Sequence, residues 1–360
     1  MEHFSCKTQI ITGSSALDRL KTLPTQRLFV VTDPYFYEKG VAKQVSDRTS
    51  AAHTDYFTGV KPDPSVELVA EATAKMKDFS PDTVIALGGG STIDCAKAMV
   101  HFSGKKVCFV AIPTTSGSGS EVTDFAVLTH GKVKYPLVDP SLQPDMAILD
   151  DALLKELPKS LIADTGFDVL THALEAYTAK NANAFTDALA QESFCAVYAH
   201  LSGSYSGKLH LRRTIHEAST MAGLAFSQSG LGLCHAMSHA LGGFFHLPHG
   251  RLNAILLPAV ITTNAHFCGE KYARLARCAG IVGAADAIAV RNLKSGLCRL
   301  RKELGIPQTL KEAGIDPKEV RYHAPEIVKA VLNDPCCVTN PAPVEDFMVR
   351  RILEEVAGRV

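Results

Sequence analysis

The sequence predicts an α/β domain built on a mostly parallel sheet, followed by an all-helical domain. Three observations predict this. The first 150 or so residues alternate short β-rich runs with helical patterns, and the remainder carries helical spacing. The length of 360 residues also exceeds the size at which one hydrophobic core usually stops growing. The composition shifts between Pro144 and Asp151 without a flexible linker, so the expected domains are residues 1–150 and 151–360.

Taken in order, "MEHFSCKTQIITGSSAL" (1–17) reads equally well as a segment that docks the protein into a larger compartment and as an edge strand and a turn. "RLFVVTD" (27–33) is a buried strand with an acid at its end. "DTVIALGGGS" (82–91) is a second strand running into glycines, and "KVCFVAIPTTSGSGSE" (106–121) a third ending in a small-residue loop. Helical patterns at 65–79 and 91–102 separate them. Beyond Asp151, helical spacing recurs at 161–179, 185–201, 213–226 and 290–305. "AILLPAVITTNA" (254–265) is apolar all round and short of a membrane span, which predicts a core helix.

Composition excludes several classes of function. There are 37 basic and 37 acidic residues, so the chain has no electrostatic footprint for nucleic acid or an anionic membrane. It shows no signal-like segment and no run of 18 apolar residues, which predicts a soluble cytoplasmic protein. The ten cysteines form no C-x-x-C pair, and Cys336 and Cys337 are adjacent; they read as reduced thiols. Cys234 reads as a small buried neighbour of His235 rather than a ligand.

A strand meeting "GGGST" and then a helix is a phosphate site in principle. Glycines let the backbone approach an anion, and the helix N-terminus adds partial positive charge. "PTTSGSGSE" repeats the idea one strand later, offering the hydroxyls of Thr114, Thr115 and Ser118. Both loops should lie at the carboxyl edge of the sheet, where open α/β sheets bind ligands. The G-x-G-x-x-G fingerprint is absent. Its ribose-binding acid would follow the glycines, whereas the candidate here, Asp33, precedes them. A carboxylate there accepts from a ribose 2′-hydroxyl and repels a 2′-phosphate, which favours NAD over NADP. Asp94 and Lys97, one turn into the glycine helix, could by themselves be an ordinary solvated pair.

"LCHAMSHALGGFFHLPHG" (233–250) holds His235, His239, His246 and His249, four of the fourteen histidines. His235 and His239 are four apart and share a helix face. "HAMSH" lacks the glutamate of H-E-x-x-H, which argues against a metalloprotease. Asp168 and His172 in "GFDVLTHALEAY" form another i, i+4 pair, and His249 stands at a turn. Burying five such groups unpaired would cost roughly 1–3 kcal/mol each, and a metal accounts for them. Imidazoles and a carboxylate without thiolate suit Fe(II), Zn(II), Mn(II) or Co(II). A structural zinc site would normally use cysteine and be closed, which favours a catalytic role. Five groups exceed four ligands, so one is left for acid/base work.

"GGGSTIDCAKA", "PTTSGSGSEVT", "GFDVLTHALEAY" and "CHAMSHALGGFFHLPHGRLNAILLP" resemble the iron-dependent (group III) alcohol dehydrogenases, in order over nearly the whole chain. The resemblance implies a Rossmann-like N-terminal domain, an all-α C-terminal domain, and metal and substrate in the cleft between them. It implies Asp168, His172, His235 and His249 as metal ligands, with His239 as the proton relay. It puts Asp33, Gly89, Gly90, Ser91, Asp94, Thr114, Thr115, Ser118 and Lys134 at cofactor-contacting positions. His246 inherits no role and is left as a wall residue, and Asp63 stands where many relatives have asparagine.

The implied cofactors are NAD(H) and Fe2+, with Zn2+ as the alternative metal. The implied reaction interconverts short-chain primary alcohols and aldehydes. Several segments are most similar to the propanol dehydrogenases of propanediol-utilisation microcompartments. That similarity implies propanal and 1-propanol as the substrate pair, a homodimer, and shell proteins as partners inside a bacterial microcompartment. Two other readings compete. A dehydroquinate-synthase-like or glycerol-dehydrogenase-like metal enzyme shares the architecture; the lyase would need a Lys/Arg cluster near the metal, where only Arg251 stands. A non-catalytic shell-associated protein is the third.

Overall fold

The computed structural model describes residues 4–131 and 133–358, except for the side chains of Val133 and Lys134. The chain forms two compact units, Ser5–Leu157 and Pro158–Val360, with Phe4 going with the latter. The packing division falls beyond the composition shift at Asp151. Asp150 Oδ2 accepts from the Leu17 amide at 3.1 Å, and Ser14 Oγ donates to Asp151 Oδ2 at 3.2 Å. These bonds hold the segment after the last strand to the N-terminal unit.

The first unit contains β1 (Gln9–Thr12), β2 (Arg27–Thr32), β3 (His53–Phe57), β4 (Thr83–Gly88), β5 (Cys108–Pro113), β6 (Phe125–His130), β7 (Val133–Val138) and β8 (Met146–Leu149). Its helices are α1 (Pro34–Glu38), α2 (Val41–Ser46), α3 (Val66–Phe79) and α4 (Gly90–Ser103). Six strands form one parallel sheet in the order β1-β8-β5-β4-β2-β3, and β6 and β7 form a separate antiparallel hairpin.

Successive strand residues point to opposite faces, and both faces are covered. Phe29, Val31, Val84, Ala86, Phe109 and Ala111 pack with Met76, Ile93 and Met99 from α3 and α4. Leu28, Val30, Ile85, Leu87, Val110 and Ile112 pack on the other side with Leu17, Leu20, Ala42 and Val45. The chain passes from β2 outward to β3 and then returns to β4 on the other side of β2. That makes the carboxyl ends of β2 and β4 the topological switch point.

The second unit is helical among the described residues. It comprises α5 (Lys159–Thr178), α6 (Ala184–Tyr205), α7 (Leu209–Ser229), α8 (Leu233–Phe245), α9 (His249–Cys278), α10 (Asp286–Glu303), α11 (Pro317–Tyr322), α12 (Ala324–Leu332), α13 (Cys336–Thr339) and α14 (Asp346–Ala357). Helix α5 is its axis: every residue from Gly166 to Thr178 is buried, and it packs against α6, α7 and α9. Polar side chains inside such a helix must find partners within the protein.

Helix α9 runs far beyond the apolar core segment 254–265, with a break in helical geometry at Cys268. It is long and apolar enough to cross a membrane, but 67% of its apolar window is buried inside the protein, as in a core helix. Pro258 lies inside it and removes the N–H that would bond the Ala254 carbonyl. Arg301 from α10 supplies the missing donor: its Nη1 donates to Ala254 O at 2.9 Å and Ile255 O at 3.1 Å.

Candidate metal centre and nucleotide-binding edge

Asp168 and His172 stand one turn apart on α5, facing His235 on α8 and His249 at the start of α9. One carboxylate oxygen, Asp168 Oδ1, lies 4.0 Å from His172 Nε2, 3.7 Å from His235 Nε2 and 3.6 Å from His249 Nε2. Asp168, His172 and His235 each offer a ligand atom within 4.8 Å of the other two. Tetrahedral coordination with bonds of about 2.0–2.2 Å separates ligand atoms by about 3.3–3.6 Å. The spacing therefore fits a divalent cation after small side-chain adjustments.

The surroundings aim the imidazoles. Glu175 Oε2 lies 2.7 Å from His235 Nδ1, and Ser238 Oγ lies 3.1 Å from His249 Nδ1. Ser238 also donates to the His249 carbonyl at 3.1 Å, so it accepts from the ring. Each ring thus carries a proton on Nδ1 and turns Nε2 inward, the nitrogen a ligating histidine offers. The Asn253 amide points into the same space: its Nδ2 is 2.7 Å from Asp168 Oδ1, 3.3 Å from His235 Nε2 and 3.2 Å from His249 Nε2. The rings of Phe226 and His235 sandwich His172, with centroids at 4.4 and 4.5 Å.

Charge follows the geometry. Burial pushes the Asp168 carboxyl up, but the surrounding imidazoles outweigh it and hold Asp168 well below the usual carboxylate range. Burial lowers His235, yet its bonds to Asp168 and Glu175 win and raise it to about 9. Desolvation and the neighbouring imidazoles push His249 well below its ordinary value, against the pull of Asp168.

Two glycines let these helices close on one another. A Cβ on Gly250 would lie 2.0 Å from the Asp164 carbonyl oxygen and 3.2 Å from Asp168 Cβ, so only glycine brings α9 this close to α5. At Gly232, a Cβ would meet Asn340 Oδ1 at 2.8 Å and Glu175 Oε1 at 2.9 Å. The space it leaves lets Glu175 accept from the amides of Gly232 at 3.0 Å and Cys234 at 2.7 Å.

His239 sits beside the centre rather than in it. Its ring stacks on His249 with centroids 5.2 Å apart, and its Nδ1 is 2.9 Å from Asp334 Oδ2. With a third of its side chain exposed, it reaches solvent. His246 is an exposed left-handed cap (φ 55°) ending α8. Arg251 is committed to Asp164, with bonds of 3.2 and 2.9 Å. That removes the one cation on which a phosphorylated-substrate lyase would have relied.

The nucleotide candidates gather at the carboxyl ends of three neighbouring strands: Asp33 after β2, Gly89–Ser91 after β4 and Thr114–Ser118 after β5. The two loops touch. A Cβ on Gly89 would meet Thr115 Oγ1 at 3.2 Å, and one on Gly90 would meet Ser118 Oγ at 2.8 Å. Asp33 caps α1, its Oδ1 accepting from the Phe36 amide at 3.1 Å. Ser91 Oγ accepts from the Asp63 amide at 3.3 Å, with Asp63 left-handed (φ 55°), a backbone asparagine also tolerates. Lys134 lies in β7, and its side chain is outside the described residues.

Asp94 and Lys97 are not a solvated pair. Asp94 accepts from the Ser120 hydroxyl and from the Val127 amide at 3.0 Å. Lys97 is fully buried, with Nζ donating to Thr123 Oγ1 and the Phe125 carbonyl, both at 2.8 Å. Together they tie the glycine helix to the loop after β5 and the start of β6.

Sequence reading missed Glu175, Ser238, Asn253 and Asp334. Three carried a local signal: Glu175 follows His172 by three, Ser238 follows His235 by three and Asn253 follows His249 by four, each on the ligand's own helix face.

Comparison with known proteins gives the family. The model of the iron-containing alcohol dehydrogenases matches residues 7–151, and that of the C-terminal part of the Fe-containing alcohol dehydrogenase family matches residues 162–357. The 1-propanol dehydrogenase PduQ of Citrobacter freundii is 40% identical over 99% of this chain and 100% of its own. The NADPH-dependent butanol dehydrogenase of Clostridium saccharobutylicum is 37% identical, covering 98% and 97%. The iron-containing alcohol dehydrogenase of Thermococcus thioreducens superposes with a TM-score of 0.91 at 33% identity, covering 98% and 99%. With its parallel sheet, its helical second unit and a carboxylate facing three imidazoles, this chain belongs to the iron-containing alcohol dehydrogenase family.

Proposed function

We propose that the protein is an NAD(H)-dependent alcohol dehydrogenase that interconverts propanal and 1-propanol at an iron centre held by Asp168, His172, His235 and His249. The observation that carries the reading is the set of Nε2 atoms turned toward Asp168 Oδ1 at 3.6–4.0 Å, with no thiolate among them. When bound, the cation supplies Lewis acidity, polarising a carbonyl and making a hydroxyl easier to deprotonate, while NAD(H) carries the hydride.

The chain's own residues do the rest. Asp168 contributes the negative charge that offsets part of the cation's. Glu175 and Ser238 keep His235 and His249 in the ligating tautomer. His239, stacked beside His249 and partly open to water, passes the proton between the substrate oxygen and solvent. Asp334 holds its Nδ1 and leaves Nε2 for that transfer. The paired loops at Gly89–Ser91 and Thr114–Ser118 form the phosphate cradle. Asp33 accepts from the adenosine ribose and disfavours a 2′-phosphate, whereas one relative is named as an NADPH-dependent butanol dehydrogenase. From the family resemblance we also infer a homodimer, and a place in a bacterial microcompartment with shell proteins as neighbours.

The test is NADH-dependent reduction of propanal by protein purified without oxygen, stripped by chelator and reloaded with Fe(II) or Zn(II). Activity restored by Fe(II) and little by Zn(II) supports the iron reading. Confirmed binding of either metal without propanal reduction overturns the assigned substrate.

A further inference from the structure

A second cluster of ligand-type side chains lies beside the centre and is not needed to build it. His239, Asp334 and Cys336 each present a ligand atom within 4.8 Å of the other two. The histidine comes from α8, while the carboxylate and thiol come from the "DPC" turn that opens α13. The turn is locally braced, because the Cys336 amide donates to Asp334 Oδ1 at 2.8 Å. All three residues are partly buried rather than sealed, with Asp334 Oδ2 and His239 Nδ1 already 2.9 Å apart. The His–Asp hydrogen bond accounts for two members. Nothing in that bond calls for a thiol beside it.

We propose that His239, Asp334 and Cys336 form a second metal site, selective for soft divalent cations such as Zn2+ or Cd2+. The donor set is one imidazole, one carboxylate and one thiolate, which suits Zn2+ and its heavier relatives far better than Fe2+, Mg2+ or Mn2+. Three protein ligands leave a fourth position for water. Zinc bonds of about 2.0–2.3 Å put tetrahedral ligand atoms about 3.3–3.8 Å apart, which lies between the 2.9 Å of the His239–Asp334 pair and the 4.8 Å within which all three atoms fall. Coordination converts the Cys336 thiol to thiolate and releases its proton to solvent. A cation here would also occupy the imidazole assigned above to proton transfer, so its binding should inhibit. That consequence rests on the proposed role of His239; the binding itself does not.

Cobalt(II) separates the two sites, because the first centre contains no sulfur ligand. Protein carrying one equivalent of Co(II) in the first centre should take up a second equivalent. Only the second should bring a near-ultraviolet sulfur-to-cobalt charge-transfer band. Cys336→Ser and Cys336→Ala should each lose that band while keeping the first equivalent, which also reports that the variant has folded. Cys234→Ser, at the other thiol near the centre, should keep it. A second equivalent without the band, or a band surviving in both Cys336 variants, overturns the site. A band without inhibition of propanal reduction leaves the metal site standing and removes His239 from proton transfer.

Discussion

Glu175 Oε2 lies 2.7 Å from Nδ1 of His235, and both side chains are buried in the helical unit. The same carboxylate accepts from the amides of Gly232 and Cys234, so it fixes the start of α8 as well as the ring. Metal-binding histidines are commonly oriented this way, and loss of the orienting group typically costs 10–100-fold in affinity or activity. Glu175→Gln keeps the shape but weakens the acceptor. It should lower metal affinity about 10-fold, measured by chelator competition. Unchanged affinity in a folded Glu175→Gln protein would show that His235 needs no such support.

Gly250 makes a different kind of test, because it contributes no ligand atom. A methyl group there has no room against the Asp164 carbonyl at 2.0 Å, so α9 must move away from α5. His249 precedes Gly250 and moves with it. Gly250→Ala should therefore lose bound metal out of proportion to any loss of helix, with about 1–3 kcal/mol of strain or displacement at the contact. Metal content by elemental analysis, set against circular dichroism, reads the two apart. Full metal occupancy in Gly250→Ala would refute the close-approach argument.

The pairing of Pro258 with Arg301 predicts a coupling. Arg301→Met leaves the Ala254 carbonyl buried without its donor, which should cost about 1–3 kcal/mol in unfolding free energy. Pro258→Ala returns a backbone N–H to that carbonyl. In the Arg301→Met background it should therefore recover part of the loss, giving a non-additive cycle. Denaturant unfolding of the four proteins measures it. Strict additivity would mean that Arg301 contributes by packing alone.

The acid and imidazole pairs were legible because helical spacing is local information. Asp168 and His172 share a face of α5, as His235 and His239 share one of α8, whatever the rest of the chain does. The parallel sheet was legible for a similar reason: apolar runs ending in glycines or an acid mark strands with loops at one edge, and β1 lies at the sheet edge. Relationships made by tertiary contact were hidden. Asp334 meets His239 across 95 residues and Glu175 meets His235 across 60, and neither distance leaves a periodic trace. The β6–β7 hairpin also escaped, because its strands carry little apolar alternation. The Asp94–Lys97 pair misled most. An i, i+3 acid and base look solvated in sequence, and only the covering segment from Ser120 to Val127 buries them.

That burial has a measurable consequence. Desolvation pulls the Lys97 ammonium down to about 8, against the raising influence of Asp94, Glu121 and Asp124. An unfolded lysine titrates near 10.4. Between these values the unfolded chain holds the proton and the folded one releases it, so stability rises with pH across that window. Below about pH 8 the full penalty for burying the charge is present; above about 10.4 it is gone. Other groups titrate in the same range, and comparison with Lys97→Met cancels most of them. The unfolding free energy of the wild-type protein minus that of Lys97→Met should therefore increase by about 2–3 kcal/mol between pH 7.5 and 10.5. A difference that is flat across that range would mean that Lys97 keeps an ordinary ammonium in the folded protein. The cost of its burial would then be met entirely by its bonds to Thr123 and Phe125.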